Sequence, residues 1–241
     1  MTNNADKINT TMTEQPDISL LLDGLKKHNE SDLDEILLVS SKNTIKMLPM
    51  TIGQQKQLVS SLIARETAEL NIDTTLGEII LENISTPQDV YSIDTPYIVL
   101  QMRANLMGGD ISLTLNENDY EIDISKHIKK IHKQYNAGID TTYDVSEGKI
   151  VINCQTPLLS RECELNRAAS KYIEEKYGTT TEAVGDIYLI EIMKQIKTIC
   201  IDDNQIDLKE LDLETSISLI NNLPYSLTKQ IVKKTDDYTI S

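Results

Sequence analysis

The chain has 241 residues, 39% of them hydrophobic and 25% charged, so it is long enough to bury a core as one large domain or two small ones. Its formal net charge of −15 and pI near 4.6 argue against a nucleic-acid binder, because such proteins usually carry a basic face. The absence of Trp and Phe is unusual for a small-molecule enzyme, whose pocket tends to be lined with aromatic side chains.

Cysteine usage and apolar runs indicate the cellular compartment. Cys154, Cys163 and Cys200 form an odd set with no metal-ligand spacing, and no signal peptide precedes them. No C-x-x-C motif is present, so they read as inert thiols, buried like small hydrophobic residues. The longest apolar runs are far shorter than the ~20 residues that span a bilayer. We therefore expect a soluble intracellular protein with reduced cysteines and no membrane partner.

The first part of the chain predicts a disordered arm, a short helix and a hairpin. Residues 1–16 are rich in Asn, Thr and Asp and have few apolar side chains, which is typical of disorder. Asp17 can cap a helix that runs to Lys27. The apolar segments Glu35–Val39 and Thr44–Leu48 flank turn residues, so they predict a hairpin.

Two helices are predicted after this hairpin. Apolar residues at helical spacing predict a long helix over residues 51–70. Asp73 and Thr74 form a helix start signal, which predicts a second, shorter helix over residues 74–84.

The next stretch, DTPYIVLQMRANLMGG, predicts a helix with clear start and stop signals. Asp94 and Thr95 are good N-cap residues. Gly108 and Gly109 can take the left-handed conformation that ends a helix. Side chains at helical spacing give the helix one apolar face, formed by Tyr97, Leu100, Ala104 and Met107.

One charge, Arg103, lies within the apolar part of this helix. A lone arginine often lies at the edge of a helix face, with its stem on apolar surface and its head in water or on a carboxylate. A partly buried ion pair would instead fix how the helix meets its neighbours. Both interpretations stay open, and neither implies catalysis.

Alternating side chains after the glycines predict a hairpin and then a helix. Residues 111–115 alternate apolar and polar side chains, and Tyr120 and Ile122 resume the alternation after a polar, turn-like stretch. The pattern then switches to helical spacing at three isoleucines, Ile124, Ile128 and Ile131.

This predicted helix carries the only basic cluster of the acidic sequence, at Lys126, Lys129, Lys130 and Lys133. A functional interpretation makes the cluster a contact for nucleic acid or for an acidic partner. A solvated helix face opposite the isoleucines is the favoured interpretation, because charge runs usually lie on the surface. The histidines beside these lysines have no nearby carboxylate ligand, so the sequence predicts no zinc site.

The C-terminal half predicts further hairpins and helices. Gly148 suits the turn of a hairpin between residues 141–145 and 149–153. Helices are predicted over Ser160–Tyr177, which Gly178 ends, and from Thr180 or Thr181 to about residue 197. The remaining segments predict a strand pair and two short helices, over residues 199–201, 206–208, 214–223 and 226–234.

These elements together predict an α+β fold that is helix-rich with small antiparallel hairpins, because helices and hairpins alternate without a βαβ rhythm. We expect one domain over residues 17–241 after the arm, and a C-terminal helical subdomain over residues 160–241 is left open.

No constellation of catalytic or metal-binding residues emerges. The run from Asp203 to Glu214 resembles a calcium loop, but Leu208 stands where glycine is required and Gln205 replaces a carboxylate. No G-x-S-x-G elbow, phosphate-binding loop or dinucleotide fingerprint is present. We therefore expect a protein that is not an enzyme and that uses no cofactor, metal or small-molecule substrate.

Four stretches are similar to a known family. TIKMLPMTIGQQKQLV is a hairpin that ends in proline before a helix, and TPYIVLQMRANLMGGDISLTL is a helix with an arginine and a glycine turn before a strand. KIVINCQTPLL is a strand that leads to a proline, and ETSISLINNLPYSLTKQIVKK is a terminal helix pair. In this combination the chain resembles the T4-type bacteriophage baseplate protein family over most of residues 35–234.

The resemblance implies a structural or assembly protein of the baseplate hub of a phage with a contractile tail, either a hub subunit or an assembly chaperone. It implies other hub and tail proteins as partners, the host cytoplasm during assembly as location, and the virion baseplate as destination. The alternative hypothesis is a small regulatory module that binds nucleic acid through the segment Lys126–Lys133.

Overall fold

A computed structural model describes residues 33–63, 68–85, 90–115, 118–134, 140–178, 181–202 and 204–238. The predicted arm over residues 1–16 and the predicted helix Asp17–Lys27 lie outside these ranges. Eight α-helices and eight strands occur within them, so the predicted α+β class is confirmed. No helix in these ranges combines the length and the apolar character needed to cross a lipid bilayer.

The elements follow one another in this order: β1 (Asp34–Leu37), β2 (Thr44–Met47), α1 (Ile52–Ile63), α2 (Ala68–Asn83), α3 (Thr95–Met107), β3 (Asp110–Leu115), β4 (Asn118–Asp123), α4 (Ile124–Gln134), β5 (Thr142–Glu147), β6 (Ile150–Gln155), α5 (Leu159–Lys176), α6 (Val184–Lys194), β7 (Ile196–Ile201), β8 (Asn204–Asp207), α7 (Leu213–Asn221) and α8 (Tyr225–Tyr238). Two 3-10 turns, Ser92–Asp94 and Leu208–Glu210, precede α3 and follow β8.

The strands within these ranges form three antiparallel sheets. β1 pairs with β2, β3 pairs with β4, and the last four strands form one sheet in the order β5-β6-β7-β8. The two hairpins predicted in the C-terminal half therefore join, through pairing of β6 with β7. Gly148 has a φ of +58° in the turn between β5 and β6, as the sequence predicts.

A large C-terminal core lies between this sheet and the helices that follow it. Val145, Ile152 and Ile199 are neighbours across three strands and are buried. Side chains from α5 to α8 pack against them, including Ala169, Ile190, Ile220, Leu227 and Ile231. The helices after residue 160 thus share their core with strands that begin before it.

A second, N-terminal core joins the first hairpin to α2 and α3. Its buried members include Ile36, Ile45, Ile80 and Ile98. The start of α5 closes this core with Leu159 and Cys163, whereas the next turns of α5 contribute Leu165 and Ala169 to the C-terminal core. α5 therefore belongs to both cores and connects them.

The predicted helix start at Asp73 and Thr74 is wrong, because α2 is helical from Ala68 to Asn83. α2 also packs closely against α5. A Cβ atom on Gly77 would lie 2.5 Å from Cys163 Sγ, so the two helices approach closely there. Tertiary packing can keep a helix continuous across residues that locally favour a helix start.

Candidate interaction surface

The start of α3 is tied to the first hairpin by Asp94. Asp94 occupies the N-cap position, but its carboxylate does not cap the helix as predicted. It accepts hydrogen bonds from the Ser40 backbone N–H at 2.9 Å and from the Ser40 hydroxyl at 2.5 Å. Asp94 has no exposed surface, and this burial raises its pKa despite the lowering effect of those bonds.

The end of α3 uses its two glycines differently. Gly108 has a φ of +84°, and its N–H donates to the Ala104 carbonyl at 3.0 Å, as expected of a helix C-cap. Gly109 does not adopt a positive φ, so the left-handed conformation predicted for it is wrong. A Cβ atom on Gly109 would lie 2.5 Å from Ser125 Oγ, and its carbonyl accepts the Ile124 N–H at 2.6 Å. Gly109 therefore permits the close approach of α4.

Arg103 lies at the edge of α3 and is half-buried. Its guanidinium donates to the Gly108 carbonyl at 3.3 Å. The described residues hold no carboxylate within ion-pair distance of it. Of the two interpretations, the geometry thus matches the edge position, and the positive charge also complements the helix C-terminus.

α3 and α4 pack through a small apolar cluster. Tyr97 and Ile131 are buried there together with Val39, and Leu100 and Ile128 pack against them. The Tyr97 and His132 rings lie 5.0 Å apart at 53°. The predicted helical pattern of isoleucines is confirmed in α4.

The sequence pattern did not predict that the opposite face of α3 is also buried. Ile98 and Met102 are buried in the N-terminal core, so α3 has apolar contacts on two sides. A helix buried on two sides has no single apolar stripe, which is why the spacing pattern indicated only one face.

These contacts unite two features that the sequence predicted separately. We call α3, β3, β4 and α4 the hairpin module. In it, the glycine junction at the end of α3 touches the start of α4, the helix that carries the basic cluster. Arg103 and the lysines therefore belong to one structural unit.

The basic face of α4 consists of Lys126, Lys129, Lys130 and Lys133, all of which are exposed. Lys126 Nζ lies 3.6 Å from Asp123, and its side chain is 83% exposed. The other three have no ion-pair partner in the part of the chain that the structure describes. This face is solvated and positively charged.

The hairpin β3–β4 next to this face is acidic and exposed. Asp119 and Glu121 lie on the surface, and Thr114 donates a hydrogen bond to Asp119 at 2.7 Å. Tyr120 leaves 49% of its surface exposed. Each strand pairs only with the other, so both outer backbone edges are open among the described residues.

The cysteines do not form a reactive site in this fold. All three are free thiols. Burial raises the pKa of Cys154 to about 12 and that of Cys163 to about 11, so both are protonated at neutral pH. The run that resembles a calcium loop contains β8 and the start of α7, which Asp212 caps by accepting the Thr215 N–H at 2.8 Å.

The family of the chain follows from comparison with known sequences. A sequence model of the family described as T4 bacteriophage base plate protein matches residues 33–240. The match spans most of the chain, so the chain belongs to this family, and the resemblance drawn from the four stretches is confirmed. It is a structural protein of a bacteriophage baseplate. Neither curated proteins nor solved structures gave a match.

Proposed function

We propose that the chain acts in building the baseplate hub of a contractile-tailed phage by binding other hub and tail proteins. It does so in the host cytoplasm during assembly, without turnover of a substrate. It serves either as a hub subunit or as an assembly chaperone. Membership of the baseplate family supports the class of function, and the hairpin module supplies a surface for it.

The observation that carries the proposal is the unpartnered charge on α4. Three exposed lysines without ion-pair partners lie together with Lys126 on one face of α4, in a chain of net charge −15. Such a face repels a second basic surface and attracts an acidic one, which favours specificity and rapid association. A complementary partner would present clustered Asp and Glu side chains.

The hairpin module also fixes the backbone of α4, which carries these lysines. The Asp94 carboxylate binds Ser40, Tyr97 packs on His132, and the Gly109 carbonyl accepts the Ile124 N–H. A helix anchored in this way loses little further conformational freedom on binding, so more of the contact energy appears as affinity.

Capture of partners from infected cells tests the proposal. The tagged full chain should retain other baseplate proteins, and substitution of Lys126, Lys129, Lys130 and Lys133 by Gln should abolish this capture. The matched control replaces four exposed lysines elsewhere and changes the net charge equally, at Lys197, Lys209, Lys229 and Lys233. Equal loss in both variants, or no capture by the wild type, would contradict the proposal.

Mass spectrometry separates the two roles within assembly. A hub subunit is present in purified virions, whereas a chaperone occurs only in the infected-cell lysate.

The exposure of four lysines on one helix face also supports the nucleic-acid alternative. A DNA-binding role requires an affinity that falls with salt, with a slope of about −0.9 in log–log terms per phosphate contact. It also requires that the α4 variant lose DNA binding while the matched control keeps it. Retention of baseplate proteins without DNA binding would exclude this alternative.

A further inference from the structure

One face of the hairpin β3–β4 carries only carboxylates and hydroxyl groups. Residues that pair across two strands share a face of the sheet, and three alternate pairs form this one: Asp110 with Asp123, Ser112 with Glu121, and Thr114 with Asp119. Asp123 is partly exposed and the other five residues are exposed. Asp110, Asp119 and Glu121 have no ion-pair partner among the residues that the structure describes. We call this surface the acidic hairpin face.

The basic face of α4 begins where the acidic hairpin face ends. Asp123 is the last residue of β4, and its carboxylate accepts the Lys126 N–H at 3.1 Å and lies 3.6 Å from Lys126 Nζ. Lys129, Lys130 and Lys133 follow three, four and seven positions after Lys126, so they lie on the same side of the helix. The two faces therefore adjoin, and the charge changes sign at the Asp123–Lys126 pair.

The two faces also have similar lengths. Asp119 and Asp123 are about 13 Å apart along a strand, at ~3.3 Å per residue. Lys126 and Lys133 are about 10 Å apart along a helix, at ~1.5 Å per residue. Within the described ranges, the Asp123–Lys126 contact is the one ion pair between the faces, so most of the charge on each is not neutralised by the other.

A surface with two adjoining faces of opposite charge and similar length is complementary to a copy of itself. A two-fold axis that lies in the contact plane, along the change of sign, places the acidic hairpin face of each copy over the basic α4 face of the other. The same contact then forms twice, and opposite charges meet in both.

We propose that this surface binds a second copy of the chain and forms a symmetric dimer. Each face is little more than ~10 Å long, so the contact is smaller than the ~800 Å² per partner of a standard interface. The dimer is therefore weak and reversible. The proposal rests on the proposed function only in using α4 as a docking face, and the second copy competes with an acidic baseplate protein for the same lysines.

Sedimentation equilibrium of the purified full chain tests the dimer. At low ionic strength the average mass should rise with protein concentration, from the 27.1 kDa of the chain towards twice that value. Salt at about 0.5 M, where the Debye length is ~4 Å, should weaken dimerisation about tenfold or more, because both contacts are between exposed charges.

Two charge-reversed variants test which faces pair. One replaces the four α4 lysines by glutamate, and the other carries Asp119→Lys with Glu121→Lys. Each variant alone should stay monomeric, because like charges then face one another in both contacts. An equimolar mixture of the two should dimerise again, because every acidic face then meets a basic one.

Matched controls carry the same changes of charge elsewhere on the surface. One replaces Lys197, Lys209, Lys229 and Lys233 by glutamate, and the other carries Glu174→Lys with Glu182→Lys, all at exposed positions. Both should dimerise like the wild type. Thermal melts of all four variants show that they are folded, and the salt dependence of the wild type decides the question if one of them is not.

Three results would overturn the proposal. They are a wild type that stays monomeric at low ionic strength, a dimer that salt does not weaken, and folded charge-reversed variants that dimerise alone or fail to associate when mixed. A monomeric chain that captures baseplate proteins would refute the dimer alone. A dimeric chain that captures none would refute the proposed function alone.

Discussion

The two larger antiparallel units of this protein differ in how they are supported. The four-stranded sheet β5–β8 is covered on one face by four helices, and its central side chains, such as Ile152 and Ile199, are fully buried. The hairpin β3–β4 has two strands, exposed acidic side chains and an exposed Tyr120. Both are joined to helices at their ends, yet only the first is built into a core.

This difference separates stability from recognition. Free energy of folding comes mainly from apolar burial, so the four-stranded sheet should dominate it. Among the described side chains of β3, β4 and α4, only Ile124 and Ile131 are buried, and the charged ones face solvent. Substitutions in the two regions should therefore change different observables.

The largest expected effect is in the C-terminal core. Ile199→Ala should lower the free energy of unfolding by about 2–5 kcal/mol, because it removes a fully buried side chain from the middle of the sheet. The same change at the half-buried Ile111 in β3 should cost much less. Urea titration checks both, and equal losses would remove the distinction between the two regions.

The next effect concerns the link between the hairpin module and the first hairpin. Asp94→Ala should destabilise the fold by about 1–3 kcal/mol, because it leaves the Ser40 N–H buried without an acceptor. Asp94→Asn can keep an acceptor for that N–H and offer a donor to the hydroxyl, so it should cost less. Urea titration measures the free energy of unfolding of both variants. Equal losses would contradict the role of Asp94 as the acceptor for the Ser40 N–H.

Asp94 should also leave a signature in the pH dependence. Its pKa is raised in the folded state by burial, so just above its ordinary value of 3.8 the folded chain holds a proton that the unfolded chain has lost. The stability contributed by this group therefore falls as pH rises through that interval. The free energy of unfolding of Asp94→Asn minus that of the wild type should rise over this pH interval and then level off. A difference that does not change with pH would contradict the raised pKa.

A smaller effect is expected at the glycine junction. Gly109→Ala should cost about 1 kcal/mol, because its Cβ atom would lie 2.5 Å from Ser125 Oγ and force that side chain to move. Adding Ser125→Ala should recover part of the loss, since it removes the colliding atom. Thermal melts of both single variants and the double variant measure this coupling, and strict additivity would contradict the contact.

The sequence predicted most elements, because their signals are local. Isoleucines at helical spacing predicted α4, and Gly148 predicted the turn between β5 and β6. Signals that depend on distant partners were missed. The sequence predicts Asp94 as a helix cap, but its carboxylate binds Ser40, which lies 54 residues earlier. The sequence predicts Thr74 at a helix start, but it lies within α2.

The candidate site was predicted in pieces. Arg103, the glycines and the lysines were identified from the sequence, but their union in one module depends on the Gly109–Ile124 contact.

The smallest expected effect on stability is on the basic face of α4. Replacing Lys126, Lys129, Lys130 and Lys133 by Gln should change the free energy of unfolding by less than about 0.5 kcal/mol per site, because all four are exposed. Chemical denaturation checks this directly. A larger loss would mean that the face supports the fold.

The most direct test measures stability and partner capture together in this four-lysine variant. We expect wild-type unfolding and loss of the captured baseplate proteins, with both properties retained in the matched control at Lys197, Lys209, Lys229 and Lys233. A variant that still captures the same baseplate proteins as the wild type would contradict the claim that the hairpin module is the binding surface.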